Sequence, residues 1–346
     1  MGSFVIDREG HEAAGILART RLAVDPALRG AVQTLPPAMR RIAAYHFGWQ
    51  NADGSPAAGD AGKAIRPALV LATVRALGGS AEQAVPAAAA VELVHNFTLL
   101  HDDVFDHDPT RRHRSTAWSV FGIPDAILAG DAMHALAVRI LSEDVHPRAA
   151  GAAARLSECV LQLCEGQHSD CAFEHSPDVS LDECLAMAEA KTGALLGCAC
   201  ALGAMYAGAD DEAVDAMDAF GRQVGLAFQL IDDLIGIWGD ASVTGKPVGA
   251  DLVARKKSLP VVAALRSATP AAQELAGIYR SERPLGSGEV HRAADAVERA
   301  GASDWAQIQA CDRMADAIGH LSRAVPDGRA AGDLLALAEL VTRRAH

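Results

Sequence analysis

The sequence predicts an all-α fold. Half of the 346 residues are hydrophobic, and alanine and leucine are abundant among them. No segment sustains the apolar–polar alternation that marks a half-buried strand. Size alone would allow two domains. This composition instead favours one large helical domain over residues 1–346.

The helices can be placed in chain order from apolar periodicity and from the residues that interrupt it. Residues 1–35 form a helical lead-in that ends near Pro36-Pro37, and a loop rich in Gly, Asp, Asn, Ser and Pro follows at 48–61. Irregular loops are predicted at 239–251 and 268–290, and helices resume from about 289. The helical patterns between these loops cover residues 65–78, 83–106, 124–142, 148–171, 181–206, 211–239 and 256–268.

Charge and cysteine content exclude several classes of protein. A net charge of −13 argues against nucleic acid as a general partner. The seven cysteines lack the paired spacing of a zinc site. We therefore expect them to be small buried residues in a reducing compartment.

The N-terminus and one apolar stretch bear on localisation. Charged residues appear at Asp7, Arg8 and Glu9, too early for a signal peptide. The uncharged stretch 192–209 approaches the length of a membrane span, but it consists mostly of Ala, Gly and Cys. Because small residues let helices pack closely, we expect a central buried helix, no membrane span and a cytoplasmic protein.

Two acidic segments inside apolar stretches carry most of the functional information. On a helix, Asp102 and Asp106 lie on one face, with Asp103 about 100° round it. Asp232 and Asp233 form the second cluster, 130 positions after the first. Adjacent carboxylates repel and are costly to desolvate, and a divalent cation removes that conflict. Oxygen ligands with room for water favour Mg²⁺ shared with a substrate phosphate.

A single acidic motif of this kind is more often a helix end or a solvated face. The second copy and the basic residues placed around both clusters favour the metal site. Lys63 and Arg66 lie at a helix start, where the helix dipole favours anions. The other cationic positions are His95, two turns before Asp102, and Arg111, Arg112, Lys191, Lys246 and Lys256.

Taken together, these motifs resemble the trans-isoprenyl diphosphate synthases, the polyprenyl synthetase family, and are most similar in pattern to geranylgeranyl diphosphate synthases. The resemblance covers residues 59–262, which leaves 263–346 as C-terminal helices. It rests on Gly62-Lys63, Arg66-Pro67, Glu92-Leu93-Val94-His95, Asp102 to Asp106, Arg111-Arg112, Gly130-Asp131-Ala132, Gly166-Gln167, Asp170, Lys191-Thr192-Gly193, Phe228-Gln229, Asp232-Asp233, Gly239-Asp240, Thr244-Gly245-Lys246-Pro247, Asp251-Leu252 and Lys256-Lys257-Ser258-Leu259-Pro260.

Membership of this family implies an isoprenoid-synthase-type helical bundle around a central cavity, usually a homodimer, with three Mg²⁺ ions. It also implies a role for each matching residue. Asp102, Asp106 and Asp232 would bind metal, supported by Asp103 and Asp233. The allylic diphosphate would contact Arg111, Lys191, Thr192, Gln229, Lys246 and Lys256, and isopentenyl diphosphate would contact Lys63, Arg66, His95 and Arg112.

The chain departs from the family pattern at two places. The second acidic motif usually reads DDxxD, but its last position here is Gly236. The basic motif, usually GGKRxRP, begins with Ala61 and has Ala64 after the lysine, while Lys63 and Arg66 remain. The resemblance suggests that the first aspartate of the second cluster is the principal ligand, so we expect activity to survive.

Residues before the first cluster bear on product length. In this family, large side chains there act as a floor beneath the growing chain. Phe97 lies about 7.5 Å along the helix from Asp102, and Thr98 lies nearly beneath that aspartate. One aromatic followed by a small residue is similar to the geranylgeranyl (C20) pattern, although Phe97 could also be an ordinary core residue.

Two alternatives share the same acidic clusters. A class I terpene cyclase would ionise a diphosphate with them, but it has no need for the second cationic set, and it lines its cavity with aromatics. This chain is only 4% aromatic. A non-catalytic partner subunit is suggested by Gly236 and disfavoured by the otherwise intact motifs.

Overall fold

The structure, a computed structural model, describes residues 12–57, 59, 62–176, 178–239, 248–281 and 283–342. Helices dominate these residues, so the all-α prediction is confirmed. The elements in chain order are α1 (Ala13–Gln33), α2 (Pro37–His46), α3 (Ile65–Ala76), α4 (Val85–Phe105), β1 (Thr110–Arg111), β2 (Arg114–Ser115), α5 (Ala117–Phe121), α6 (Ile123–Glu143), α7 (Ala149–His175), α8 (Leu181–Ala188), a π-helical turn (Glu189–Gly193), α9 (Ala194–Tyr206), α10 (Asp211–Trp238), α11 (Ala250–Val253), α12 (Leu259–Arg266), α13 (Pro270–Tyr279), α14 (Ser287–Arg299), α15 (Ala302–Ala324) and α16 (Gly332–Thr342).

The chain divides into two compact units. The first comprises the described residues of Met1–Val160, Leu195–Ala219 and His320–Leu337. Its central element is α4, which packs against α1, α3 and α6. Small residues allow close helix contacts here, since a Cβ built on Gly203 of α9 would lie 2.6 Å from the Val70 carbonyl oxygen of α3. This packing fixes the end of α4, where the first acidic segment lies.

The second unit comprises the described residues of Leu161–Ala194, Phe220–Gly319 and Ala338–His346. Buried apolar residues of α8, α10 and α12 form one core cluster, which includes Leu230, Leu234 and Leu259. A second cluster joins α12 to α13 and α14 through residues such as Val261 and Leu275. Both clusters support the second acidic segment, which lies near the end of α10.

The apolar stretch around residue 200 is a core helix of the described structure. The continuous segment Leu181–Tyr206 is long and apolar enough to cross a membrane by length and composition. However, 72% of its most apolar 18-residue stretch is buried inside the protein. A helix buried in a protein core passes the same test, and the expectation of a buried helix is confirmed.

One local prediction was wrong, and some short elements were not predicted. A loop was expected over 268–290, but α13 occupies Pro270–Tyr279. Thr269 caps it by accepting from the Ala272 N–H, and Pro270 stands at the first helical position, where a missing N–H costs nothing. The strand pair β1–β2 was also not foreseen, because two residues per strand leave no periodic pattern.

Candidate active site

The first acidic segment forms the last turn of α4. Asp102 is partly buried, Asp103 is buried and Asp106 is exposed. Asp106 caps the helix, and its N–H donates to the Asp102 carbonyl over 2.8 Å. The predicted arrangement of Asp102 and Asp106 one helical turn apart is therefore present.

The buried Asp103 carboxylate is paired with Arg111. The Arg111 Nε lies 2.6 Å from Asp103 Oδ1. Burial raises the pKa of Asp103 to about 6, although Arg111 acts to lower it. The second oxygen, Oδ2, is buried without a hydrogen-bond partner. A buried acceptor left unsatisfied is costly, so this oxygen is suited to a cation or a donor from a ligand.

A tight hairpin presents the two arginines that follow the first acidic segment. Arg111 pairs with Arg114 across β1 and β2, and the two turn residues Arg112 and His113 have positive φ values of 51° and 60°. Positive φ at both central positions is the geometry of a type I′ hairpin turn. Arg114 anchors the hairpin by donating to the carbonyls of Tyr45 and Gln50.

Gly62, before α3, provides the space for Arg112. A Cβ built on Gly62 would lie 2.5 Å from Arg112 Nη2, and the Gly62 φ is +94°. The glycine of the Gly62-Lys63 motif is therefore required by a close contact as well as by its backbone conformation. Lys63, the neighbouring predicted ligand, is exposed.

The predicted isopentenyl diphosphate residues Arg66 and His95 are in contact. Arg66 Nη1 lies 3.2 Å from His95 Nε2. Burial and the nearby arginines lower the pKa of His95 well below its usual value. His95 is therefore a neutral hydrogen-bonding group, while Arg66 and Arg112 supply positive charge beside it.

Sequence analysis missed two ionisable residues beside this cluster of Arg66, His95 and Arg112. Glu92 is buried, and burial raises its pKa to about 7 against the lowering influence of Arg66. His46, at the end of α2, has its pKa lowered to about 3 by burial and by Arg112 and Arg111. Glu92 is the first residue of the Glu92-Leu93-Val94-His95 motif, which could have indicated it. No local sequence pattern indicates His46.

In the second unit, a chain of hydrogen bonds runs through the second acidic segment. Thr192 Oγ1 donates to Gln229 Oε1 over 2.7 Å, and Gln229 Nε2 donates to Asp233 Oδ1 over 2.8 Å. The other Asp233 oxygen accepts from the Leu259 N–H at the start of α12. Burial raises the pKa of Asp233 to about 7. Asp232 lies on the exposed side of the same turn.

Lys191 lies in the π-helical turn that joins α8 to α9. Turns of this kind are rare and occur often at functional sites. Its Nζ contacts Asp170 Oδ2 at 2.5 Å. Burial raises the pKa of Asp170, but Lys191 and Lys256 outweigh it, so the pKa is below the ordinary value. Gly166 packs closely against the π turn, since a Cβ built on it would lie 2.5 Å from the backbone nitrogen of Lys191.

These residues line one small pocket within the second unit. Its walls include Lys191, Thr192, Gln229, Asp233 and Lys256. Ser258 also lines it, and the Ser258 Oγ is buried without a hydrogen-bond partner. This pocket thus brings together five predicted ligands: Asp233 belongs to the acidic set, and the other four belong to the allylic diphosphate set. Lys246 and most of the predicted loop 239–251 lie outside the described residues.

The described carboxylates fit Mg²⁺ in its usual protein setting. No group of three or more His, Cys, Asp or Glu side chains converges on a preformed metal site within the described part of the chain. Mg²⁺ needs no such cage, because it keeps several waters and is held through one or two carboxylates plus substrate phosphates. The unsatisfied Asp103 oxygen and Ser258 hydroxyl leave polar capacity for such a ligand.

The residues predicted as a chain-length floor lie between α4 and α6. Phe97 is 7% exposed, and its ring contacts those of His101 and His134 at centroid distances of 5.5 and 5.2 Å. A Cβ on Gly130 of α6 would lie 2.3 Å from His101 Nε2, so this glycine allows the His101 ring to pack on α6. Thr98 donates to the His95 carbonyl. Sequence analysis missed His134.

A mainly helical fold with two aspartate-bearing helical segments, each accompanied by cationic side chains, fits the class of enzymes that act on prenyl diphosphates. More specifically, the chain belongs to the polyprenyl synthetase family, whose model matches residues 56–297. The resemblance in sequence is therefore confirmed, and the protein is a prenyltransferase of the prenyl diphosphate synthase type.

Known proteins similar to this chain support that assignment. The chain is 51% identical to a geranylgeranyl diphosphate synthase of Mycobacterium tuberculosis over 95% of its length and 93% of the relative's. It is 41% identical to a (2E,6E)-farnesyl diphosphate synthase of the same organism, over 98% and 95%. The crystal structure of a polyprenyl synthetase from Streptomyces coelicolor matches with a TM-score of 0.91 and 44% identity, over 95% and 99% of the two chains.

Proposed function

We propose that this enzyme condenses isopentenyl diphosphate head to tail (1′–4) with an allylic diphosphate, in a reaction that requires Mg²⁺. The observation that carries the proposal is the cationic cluster of the first unit, where Arg66, His95 and Arg112 lie together. A second set of cations, Lys191 and Lys256, accompanies the carboxylates of the second unit. Two anion-binding sets match two diphosphate substrates.

Each set has a distinct task in the proposed reaction. Asp102, Asp106 and Asp232 would hold three Mg²⁺ ions, with Asp103 and Asp233 in support. When bound, Mg²⁺ neutralises charge on the leaving diphosphate. Lys63, Arg66, His95 and Arg112 bind isopentenyl diphosphate, and the allylic diphosphate is bound by Arg111, Lys191, Thr192, Gln229, Lys246 and Lys256.

The chemistry needs positioning and charge stabilisation more than a dedicated base. The allylic C–O bond breaks to give an allylic cation and diphosphate, and the double bond of isopentenyl diphosphate attacks that cation. The proton then passes to the departing diphosphate. The pairs Arg111–Asp103 and Lys191–Asp170 hold two of the cations in place beforehand, the kind of preorganised electrostatics that contributes most to rate.

We further propose geranylgeranyl diphosphate (C20) as the product. The buried Phe97 ring and the His134 ring packed against it support a floor between α4 and α6. The 51% identical geranylgeranyl diphosphate synthase supports the same length, whereas the 41% identical farnesyl diphosphate synthase supports C15.

Product mass tests the function. The protein is incubated with Mg²⁺ and isopentenyl diphosphate plus dimethylallyl, geranyl or farnesyl diphosphate in turn. We expect a C20 diphosphate that forms only with isopentenyl diphosphate. A hydrocarbon or alcohol formed without isopentenyl diphosphate would identify a terpene cyclase, and no turnover at all would identify a partner subunit.

Phe97→Ser tests the floor. We expect longer products, because the substitution removes a ring from the proposed end of the cavity. Leu128→Ser on α6 is the control, since Leu128 is 53% exposed. An unchanged product distribution in Phe97→Ser would place the floor elsewhere.

Asp102→Ala tests the metal assignment. We expect turnover to be lost while the circular dichroism spectrum is unchanged, because Asp102 is only partly buried. Asp125→Ala, which removes an exposed carboxylate from α6, serves as the control. Normal product formation by the Asp102 variant would overturn the assignment.

The remaining expectations concern assembly and location. We propose a cytoplasmic homodimer, as the family resemblance implies. Sedimentation equilibrium tests the dimer, which predicts twice the chain mass of 36.0 kDa.

A further inference from the structure

One hydroxyl group in the pocket of the second unit is buried and unsatisfied. Ser258 is 1% exposed, and its Oγ has no hydrogen-bond partner among the described residues. The same side chain lines the pocket that Lys191, Thr192 and Lys256 share. A buried hydroxyl without a partner is destabilising, so its presence in the wall of a pocket indicates a role in binding.

The position of Ser258 is that of a helix cap, but its hydroxyl does not cap the helix. Ser258 is the N-cap residue of α12 and has extended backbone, with φ −68° and ψ 161°, yet its side chain makes no capping hydrogen bond. An N-cap hydroxyl normally accepts from the backbone N–H of the second or third helical residue. The second helical residue is Pro260, which has no N–H. One of the two usual partners is therefore missing from this helix.

The neighbouring polar groups of the pocket are already paired with one another. Asp233 Oδ2 accepts from the Leu259 N–H over 2.9 Å, and Asp233 Oδ1 accepts from Gln229 Nε2 over 2.8 Å. Gln229 Oε1 in turn accepts from the Thr192 hydroxyl. The Ser258 hydroxyl lies outside this chain of hydrogen bonds, although it shares the pocket with three of its members.

The charges of the pocket indicate the kind of ligand that would satisfy the hydroxyl. Lys191 and Lys256 supply positive charge at its wall. Phosphate groups are anionic and carry several strong acceptor oxygens, so one such group can accept from ammonium and hydroxyl donors together. Hydrogen bonds to ionised acceptors are about twice as strong as those between neutral groups. A diphosphate therefore matches both the lysines and the hydroxyl.

We propose that the Ser258 hydroxyl donates a hydrogen bond to the diphosphate group of the allylic substrate. Ser258 is then a further binding residue of that site. The inference rests on the proposed function, because it takes Lys191 and Lys256 as ligands of the same diphosphate. The hydroxyl destabilises the free protein, and binding of the diphosphate removes this cost.

The test measures binding of inorganic diphosphate in the presence of Mg²⁺ by calorimetry, together with thermal unfolding of the ligand-free protein. Ser258→Ala should bind about ten- to a hundredfold more weakly, the usual cost of a lost hydrogen bond to a charged group. Its unfolding temperature should be equal to or above that of wild type, because the substitution removes an unsatisfied hydroxyl and breaks no hydrogen bond. Ser258→Thr retains the hydroxyl and should bind within a few-fold of wild type.

Ser267→Ala is the matched control at the other end of α12. The Ser267 hydroxyl donates to the Ala264 carbonyl over 2.8 Å, so it is satisfied within the protein. The same chemical change should have the opposite result here. The unfolding temperature should fall, and diphosphate binding should stay at the wild-type level.

Two results for Ser258→Ala would overturn the inference. Wild-type affinity would show that the hydroxyl does not contact the diphosphate. A lower unfolding temperature, with or without weaker binding, would show that the hydroxyl has a structural partner in the free protein. In steady-state kinetics, the inference also requires a raised KM for the allylic diphosphate and an unchanged KM for isopentenyl diphosphate.

Lys191→Gln separates this inference from the proposed function. Its amide can still donate to Asp170, but the positive charge is lost. If Lys191→Gln loses diphosphate binding and Ser258→Ala does not, only the role of Ser258 is wrong. If neither variant changes binding, the proposed diphosphate site of the second unit fails with it.

Discussion

At Gly62, the absence of a side chain allows an arginine to approach the backbone. The Arg112 guanidinium lies where a Cβ would be, and Arg112 itself has a positive φ in the hairpin turn. The positive φ of Gly62 costs little because glycine lacks a Cβ, whereas the positive φ of Arg112 is unfavourable and brings a cation to the Gly62-Lys63 motif. Strain of this kind persists where the surrounding structure enforces it, and it is concentrated at functional sites.

Gly62→Ala should raise the KM for isopentenyl diphosphate with a smaller effect on kcat, because the new methyl group displaces Arg112. The positive φ adds a stability cost of about 1–2 kcal/mol. Gly54→Ala is the matched control, since Gly54 has φ +86° and open space around it. Steady-state kinetics and thermal unfolding of both variants check the prediction, and equal KM values in the two would contradict it.

Glu92 gives a pH dependence of known sign. Its pKa is about 7 in the folded protein and 4.5 ordinarily, so the folded state keeps a proton that the unfolded state has lost. The stabilising contribution is therefore present below about pH 4.5 and is lost as the pH rises through 7. It amounts to about 3 kcal/mol across that window.

Glu92→Gln isolates this effect. The pKa of Glu92 is lowered by Arg66 and Arg112 and raised by Asp25. The lowered pKa of His46 makes the free energy of unfolding rise with pH over this range, equally in wild type and variant. We therefore compare the free energies of unfolding of wild type and variant by urea titration from pH 4.5 to 7.5. The wild-type advantage should fall steadily across this range, and a constant difference would contradict the assignment.

At the scale of elements, the π turn and α10 are joined by backbone contact between two glycines. A Cβ on Gly225 would lie 2.6 Å from the Gly193 Cα. This contact places Thr192 within hydrogen-bond distance of Gln229. Backbone atoms cannot rotate away as a side chain can, so the contact tolerates no added group.

Gly225→Ala should raise the KM for the allylic diphosphate several-fold by displacing the π turn and Lys191 with it. The control is Gly277→Ala on α13, where a Cβ would meet nothing within 4 Å. That control should be neutral or stabilising by up to about 1 kcal/mol, as expected for glycine to alanine in a helix. Kinetics and thermal unfolding of the pair decide between a specific contact and a general effect of helix substitution.

At the scale of the whole molecule, a net charge of −13 and two acidic segments disfavour the compact state without counter-ions. A ligand that binds only the folded protein stabilises it by mass action. Mg²⁺ together with inorganic diphosphate should therefore raise the unfolding temperature. At a ligand concentration a hundred times the dissociation constant, the free energy of unfolding should rise by about 2.7 kcal/mol.

Removal of Mg²⁺ with EDTA should abolish this stabilisation even with diphosphate present. Asp102→Ala should show a smaller rise than wild type, since it lacks one proposed metal ligand. Differential scanning calorimetry measures both effects. The same rise in EDTA would mean that the cationic residues alone bind the anion, and it would contradict a metal-dependent site.

The sequence by itself determined the helical class, most helix positions and the order of acidic and basic motifs. These follow from local periodicity and short spacings: Asp102 and Asp106 are one turn apart on any helix, and the long apolar helices have nearly the predicted bounds. Helix α13 was misassigned because a Thr-Pro pair is found both in loops and at helix starts.

Only the tertiary structure decided which groups meet. Arg111 pairs with Asp103, His46 lies near Arg112, and the Asp251 carboxylate fills the space at Gly236. None of these partners is marked by spacing, because each contact depends on how hairpins and helices pack. Pairing, burial and pKa are properties of that packing, since a side chain's neighbours and its loss of water are set in three dimensions and not along the chain.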